Sequence, residues 1–302
     1  MPTKRTTQAT KTSKAAKATK APKAAKAPAV PRSRYVTVEG MRLHYLDWPS
    51  DGPAVVCLHG AGGSAKQWVY LASQLHPNLR IIALDQRGYG DSDTPAGGYE
   101  FKTMARDVEM FVDAIGLEKF YLLGHSMGSR VSIVYAGRNS HRLHKLVLSD
   151  PPHYPVEDKV MRELAEVNTR PKRFASRAEA VDYLSKMPFR GPAPTGDALE
   201  RMADARFVQH SDGSLTWGWD NSGILHAMAF MLGDIPMSLP KIACPTLVLH
   251  GVRSHLLTAE DAQHTVAAIR NAELVSIDAG HGLWRDNPEA SLKAVREFVL
   301  GK

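Results

Sequence analysis

Between the apolar run Phe120–Leu123 and a helical pattern beginning at Met127 stands Gly124-His125-Ser126-Met127-Gly128. The pattern is G-x-S-x-G, and its setting, strand then helix, is one in which a serine acts as a nucleophile. On so sharp a turn Ser126 must hold a strained backbone. A side chain at 124 or 128 would collide with the neighbouring strand and helix. The Oγ then points out of the sheet, and the helix dipole faces the reacting centre. A serine hydroxyl needs a base, and the chain has 13 histidines. His281 stands out, because it follows an apolar strand and the flexible Ala279-Gly280 near the C-terminus, where a loop can reach over Ser126. His59 and His125 read as structural residues flanking the chemistry. The loop His59-Gly60-Ala61-Gly62-Gly63 also follows a strand. With the N–H of Met127, an N–H of this loop can stabilise the oxyanion of acyl transfer. Ala61 and Met127 are the expected donors, with Gly62 as the alternate. The loop is neither a Walker A nor a G-x-G-x-x-G sequence, which argues against a phosphate cradle.

These residues need elements to position them. "RYVTVEG" and "MRLHYLDW" alternate apolar and polar residues around Glu39-Gly40 and read as a β-hairpin. Continuously apolar runs follow at 54–60, 80–85, 120–125, 143–150, 245–251 and 272–278, the pattern of parallel strands covered on both faces. Helical patterns lie between them: Ser64–Leu75, Thr103–Ile115, Met127–Arg138, Thr258–Ile269 and Pro288–Leu300. The alternation predicts an α/β fold with a mostly parallel, doubly wound sheet. It breaks between 153 and 239, where "DKVMRELAEVN", "SRAEAVDYLSKM" and "GDALERMADARFVQH" are helical and "SDGSLTWGWD" reads as a small hairpin. An insertion there would sit over the carboxyl ends of the strands, where open α/β sheets bind ligands. The expected organisation is a tail (1–33), a core (34–152 and 240–302) and an inserted helical cap (153–239).

At these residues the chain resembles the α/β-hydrolase superfamily, over about Tyr35 to Val299, with "LDQRGYGDSD" and "GHGLWRDNPE" strengthening the likeness. The resemblance implies a triad in the order nucleophile, acid, base, with His281 last. The acid is not where it usually stands. After the strand ending at Gly251 comes "VRSHLL", with no carboxylate before Glu260, which already lies inside a helix. Asp278 is near His281 in sequence but lies on the strand feeding the same loop, so its side chain should point away. Asp150 ends the neighbouring strand and follows Ser126 by 24 residues. A carboxylate there can accept the Nδ1–H of His281 equally well, since a triad is defined by geometry. A subset of the superfamily places its acid there; haloalkane dehalogenases, fungal zearalenone lactonases and N-formylmaleamate deformylases are similar in this respect. The "DPP" that begins at Asp150 resembles the deformylase and acetamidomethylene-succinate hydrolases. Serine as nucleophile argues against a dehalogenase or epoxide hydrolase, which need a carboxylate there.

Charge and composition narrow the partners. The net charge of +7 comes from residues 1–34, which hold ten Lys/Arg and no Asp or Glu, leaving 28 basic against 31 acidic residues elsewhere. With no large apolar residue before Val30, the tail reads as disordered. It is suited at most to weak, non-specific contact with polyanions. It lacks the apolar core of a secretory signal, and no run of about 18 apolar residues suggests a membrane span. Cys57 and Cys244 read as core residues of a cytoplasmic protein. No metal motif is present, and the chemistry calls for no cofactor. The oligomeric state is not legible.

The expected function is therefore a serine hydrolase of a small carboxylic ester or amide, with a ring-cleavage catabolite as one candidate. Hydrolysis of a carbon–carbon bond in such a product stays open. So does a non-hydrolytic use of the fold, as a cofactor-free oxygenase or small-ligand receptor. Trp217, Trp219, Phe207, Met228, Phe230 and Met231 suggest a mostly apolar pocket, with Trp217, Trp219, Phe230 and Gly62 as substrate contacts. Arg130 and Arg253 lie near the sheet's carboxyl edge and are open to a substrate carboxylate or a surface role.

Overall fold

The structure is a computed structural model that describes residues 30–152, 169–187, 193–219 and 235–301. An eight-stranded sheet forms its centre: β1 (Arg32–Val38), β2 (Met41–Trp48), β3 (Ala54–Leu58), β4 (Arg80–Leu84), β5 (Phe120–His125), β6 (Leu143–Ser149), β10 (Thr246–Gly251) and β11 (Ala272–Ile277). The spatial order is β1-β2-β4-β3-β5-β6-β10-β11. The β1–β2 hairpin joins antiparallel at one edge and the remaining strands run parallel. Glu39 and Gly40 both take positive φ, as a two-residue hairpin turn demands.

The continuously apolar strands are buried on both faces. In β3, Ala54, Val56 and Leu58 join one core while Val55 and Cys57 join the other. Helices α2 (Phe101–Ala114) and α3 (Met127–Asn139) cover the first face; α1 (Val69–Leu75) and α9 (Pro288–Leu300) cover the second. Helix α7 (Ala259–Ala268) opens on a capping box between Thr258 and Asp261. Cys57 and Cys244 are buried and free. Among the described residues no helix is long and apolar enough to cross a membrane.

Between β6 and β10 the described residues form α4 (Arg177–Ser185), α5 (Gly196–Arg206) and a small antiparallel sheet, β7 (Arg173–Phe174), β9 (Leu215–Trp217) and β8 (Phe207–Gln209) in that order. The helical pattern read through His210 stops at Arg206 instead. Phe207 and Val208 pair with Trp217 and Thr216, and Phe207 stacks on Trp217 at 4.6 Å between centroids, so cross-strand aromatic packing overrides helical periodicity. The hairpin is accordingly longer than "SDGSLTWGWD". This segment meets the carboxyl edge of the sheet: Ser64 Oγ donates to Ala205 O at 2.8 Å, Gly90 N–H donates to Gly218 O at 2.6 Å, and Tyr89 bridges to Trp219. Residues 1–29 of the tail, "DKVMRELAEVN", Met228, Phe230 and Met231 lie outside the described residues, whereas Arg32 and Ser33, placed in the tail by composition, already pair in β1.

Candidate active site

Ser126 ends the turn between β5 and α3 with φ 53° and ψ −115°, a conformation costing about 1–3 kcal/mol in a residue with a side chain. Packing compels it. A Cβ on Gly124 would stand 2.3 Å from Gly128 O, and one on Gly128 would stand 2.3 Å from Leu58 O. Two further bonds hold the turn: Ser126 N–H donates to Ser149 O at 3.0 Å, and Ser129 Oγ donates to Gly124 O at 2.7 Å. The strain is therefore fixed from both sides, and the Oγ is left at the head of α3.

His281 and Asp150 come to this hydroxyl from two other strand ends. Ser126 Oγ lies 2.8 Å from His281 Nε2, and His281 Nδ1 lies 2.6 Å from Asp150 Oδ2. Asp150 is fully buried and also takes positive φ, at 49°. Its carboxylate accepts two more bonds, from Gly251 N–H at 2.9 Å and from Ser254 Oγ at 2.6 Å. Ser254 belongs to "VRSHLL". The position that lacks an acid thus supplies a donor that orients the acid on the next strand. The other carboxylates are engaged elsewhere. Asp278 is exposed and ion-paired with Arg253, and Glu260 is exposed in the first turn of α7.

His125 supports His281. Its Nε2–H donates to the backbone O of His281 at 3.0 Å, and the two rings lie 5.2 Å apart. Burial, with the charge of a protonated His281 beside it, pushes the His125 pKa down to about 4, so the ring stays neutral. His59 is also buried and held low by burial; its Nδ1–H donates to Gly60 O at 2.8 Å and its Nε2 accepts from Gln86 N–H at 3.1 Å. That pair of bonds fixes the loop holding Ala61 and Gly62. Among the described residues the amides of Ala61 and Met127 have no acceptor. Two unused N–H groups beside a hydroxyl, a base and a carboxylate can serve acyl transfer.

Of the predicted aromatic contacts, Trp219 covers the loop: its ring lies 3.4 Å from where a Cβ on Gly62 would be. Trp217 stacks on Trp219 at 4.7 Å and on Phe174, and donates its Nε1–H to Pro171 O at 2.7 Å. Arg130 is buried, donates to Pro152 O and stacks on Phe101.

A second Ser–His–Asp string joins the β1–β2 hairpin to the residue after β4. Ser33 Oγ is 2.9 Å from His44 Nε2, and His44 Nδ1 is 2.7 Å from Asp85 Oδ2. Sequence spacing gave no sign of it, since β1–β2 pairing brings Ser33 and His44 together. With Asp91, His44 and Asp85 place potential metal-ligand atoms within 4.8 Å of one another. Asp85, however, already accepts the amides of Ala65 (2.5 Å) and Asp91 (3.0 Å), which makes it the fastener of the loop after β4.

Fold and site together define the class. The alpha/beta hydrolase fold family matches residues 53–288, and the chain belongs to that family. Particular relatives are more distant. The chain is 26% identical to a 2-(acetamidomethylene)succinate hydrolase of Mesorhizobium japonicum, across 82% of this chain and 88% of the relative. It is 37% identical to the N-formylmaleamate deformylase of Pseudomonas putida over a shorter stretch, 39% of this chain and 44% of that one. A crystal structure of E-2-(acetamidomethylene)succinate hydrolase superposes with a TM-score of 0.81 at 25% identity, covering 89% of this chain and 99% of the other.

Proposed function

We propose that the protein is a serine hydrolase of small carboxylic amides or esters, acting through Ser126, His281 and Asp150. The observation that carries this is the unbroken string from Ser126 Oγ through His281 to the buried Asp150, at 2.8 and 2.6 Å. Ser126 Oγ attacks the carbonyl carbon while its proton passes to His281 Nε2. Asp150 holds the Nδ1–H and offsets the imidazolium charge. The amides of Ala61 and Met127 take the oxyanion. Protonated His281 then gives its proton to the leaving nitrogen or oxygen, and an acyl-Ser126 ester remains. Water, deprotonated by His281, attacks that ester; the carboxylic acid departs and Ser126 recovers its proton.

The substrate class comes from the relatives. N-formylmaleamate and 2-(acetamidomethylene)succinate are both small amides that carry carboxylate groups. We take a carboxylate-bearing amide or ester as the substrate class here, cleaved under a cap formed by the inserted segment. A fluorophosphonate probe tests the chemistry: it should label Ser126, with turnover of p-nitrophenyl acetate lost in Ser126→Ala. Wild-type protein that neither labels nor hydrolyses the ester would sink the reading. Mass spectrometry of a metabolite pool incubated with wild type and with Ser126→Ala should then find the substrate.

A further inference from the structure

Three arginines from distant parts of the chain, Arg170, Arg206 and Arg285, lie close enough for the charges of the first and last to act on Arg206. Arg206 ends α5. Its backbone is anchored beside the Ala61–Gly63 loop, because the preceding carbonyl of Ala205 accepts from Ser64 at 2.8 Å and its own carbonyl accepts from Gly218 at 2.7 Å. Arg285 packs against Gly282, the residue after His281, with Cζ 3.0 Å from where a Cβ would stand. Arg170 stacks on Trp217 at 5.7 Å. Arg285 has Asp286 as an ion partner at 2.7 Å. Among the described residues Arg206 has none; its guanidinium meets the Met187 sulfur at 3.9 Å, a weak acceptor.

That placement is costly. Burial, then the charges of Arg170 and Arg285, push the Arg206 pKa down to about 10, so the charge is retained but uncompensated. Arg206 is half-buried, and charges drawn away from water are normally paired. A further donor is also unused: the indole N–H of Trp219 is buried with no acceptor among the described residues, one residue beyond the Gly218 that bonds to Arg206. Trp219 itself lies against Gly62. An unpaired guanidinium and an unmatched N–H on the segment that covers the loop both call for an anion with oxygen acceptors.

We infer that Arg206, with the Trp219 N–H as a second donor, receives a carboxylate of the substrate remote from the scissile bond. This rests on the hydrolase reading and adds the residue that selects the substrate. The bidentate fork of arginine suits a carboxylate better than a point charge would.

The test compares p-nitrophenyl acetate with mono-p-nitrophenyl succinate, whose acyl group ends in a carboxylate. Arg206→Met should lower the ratio of kcat/KM (succinyl over acetyl) by about thirtyfold, as expected for one charge-assisted hydrogen bond, with the loss in KM. Arg206→Lys should recover part of it. An unchanged ratio, with both esters affected equally, would show a merely structural arginine and overturn the inference. A second readout is independent of turnover: succinate should raise the Tm of Ser126→Ala, and Arg206→Met in that background should abolish the shift. No shift in Ser126→Ala, or one that survives Arg206→Met, also overturns it. A shift that depends on Arg206 in a wild type inactive on both esters would refute the nucleophile and leave the carboxylate site standing.

Discussion

Two Ser–His–Asp strings in one chain have nearly the same distances: 2.8 and 2.6 Å at Ser126, 2.9 and 2.7 Å at Ser33. Their surroundings differ in every respect that chemistry requires. Ser126 sits in a strained turn at the head of α3, beside two amides with no acceptor. Ser33 sits exposed and extended in an edge strand. Asp150 is served by two further donors from the loop that faces His281, whereas Asp85 fastens the loop after β4 to the core. Hydrogen-bond distances alone therefore do not make a nucleophile. In the proposed mechanism the strained turn and the two amides make the difference, because they would hold the hydroxyl and the developing charge before substrate arrives.

The sharpest way to break the contrast is Ser126→Ala. Removing the nucleophile of a triad costs about 10⁴–10⁶ in kcat. Residual turnover within a hundredfold of wild type, measured with p-nitrophenyl acetate, would place the chemistry elsewhere. Asp150→Asn comes next, at about 10²–10⁴ in kcat with little change in Tm, since the carboxamide is nearly isosteric but leaves the wrong His281 tautomer. Because Ser254 Oγ touches Asp150 Oδ2, Ser254→Asp in the Asp150→Asn background should recover part of the loss. Asp278→Asn and Glu260→Gln should each cost less than about tenfold. Full activity in Asp150→Asn with loss in Asp278→Asn would move the acid to the wrong strand for this reading.

The corresponding change in the second string should act on stability instead. Asp85→Asn weakens bonds to His44, Ala65 and Asp91, and buried polar groups left unpaired cost about 1–3 kcal/mol each. Burial alone would raise the Asp85 pKa, but His44, His59 and the two amides outweigh it and hold it below the usual value. Its contribution is therefore complete above the unfolded carboxylate pKa and lost as pH falls through the lower folded value. Asp85→Asn should lower Tm by several degrees at pH 7, and the gap from wild type should narrow in acid. A gap that widens in acid would contradict the sign.

Much of the site was legible in the sequence, for local reasons. The glycines around Ser126, the apolar strands and the interval from Ser126 to Asp150 are short-range features, and pattern reads those. Position 254 offered a blank where an acid was expected, but not that its hydroxyl would bond the acid on the next strand. Ser33 meets His44 only through hairpin register, and Arg170, Arg206 and Arg285 meet only through the fold. Phe207 was misread as helix because α5 supplies the right period up to Arg206, and only its cross-strand partner Trp217 decides otherwise. Arg130 and Arg253 were reasonable carboxylate ligands by position, yet one is tied to Pro152 and the other to Asp278.

His125 offers a smaller, pH-dependent test of the first string's support. Its folded pKa of about 4 lies below its unfolded value of 6.5, so the native state takes up this proton later than the unfolded one. Its neutral form contributes fully above pH 6.5, and stability falls as pH drops from 6.5 to 4. His125→Gln, which keeps a donor for His281 O, should flatten urea midpoints across that window relative to wild type. Parallel curves for the two proteins would mean that His125 titrates normally.

The smallest expected effect belongs to Ser33→Ala. One part-buried hydrogen bond to His44 is worth about 0.5–1.5 kcal/mol at most. His44 keeps its bond to Asp85 without it, so the loop after β4 stays fastened. No strained turn presents the Ser33 hydroxyl, which lies inside the extended strand β1. Turnover should stay within about twofold of wild type, because nothing in that string reaches Ser126. The discriminating measurement is labelling rather than rate. Ser126→Ala treated with a fluorophosphonate should carry no adduct on the peptide containing Ser33. An adduct there would mean that a His–Asp pair activates a serine without a strained turn or oxyanion amides, and the distinction between the two strings would collapse.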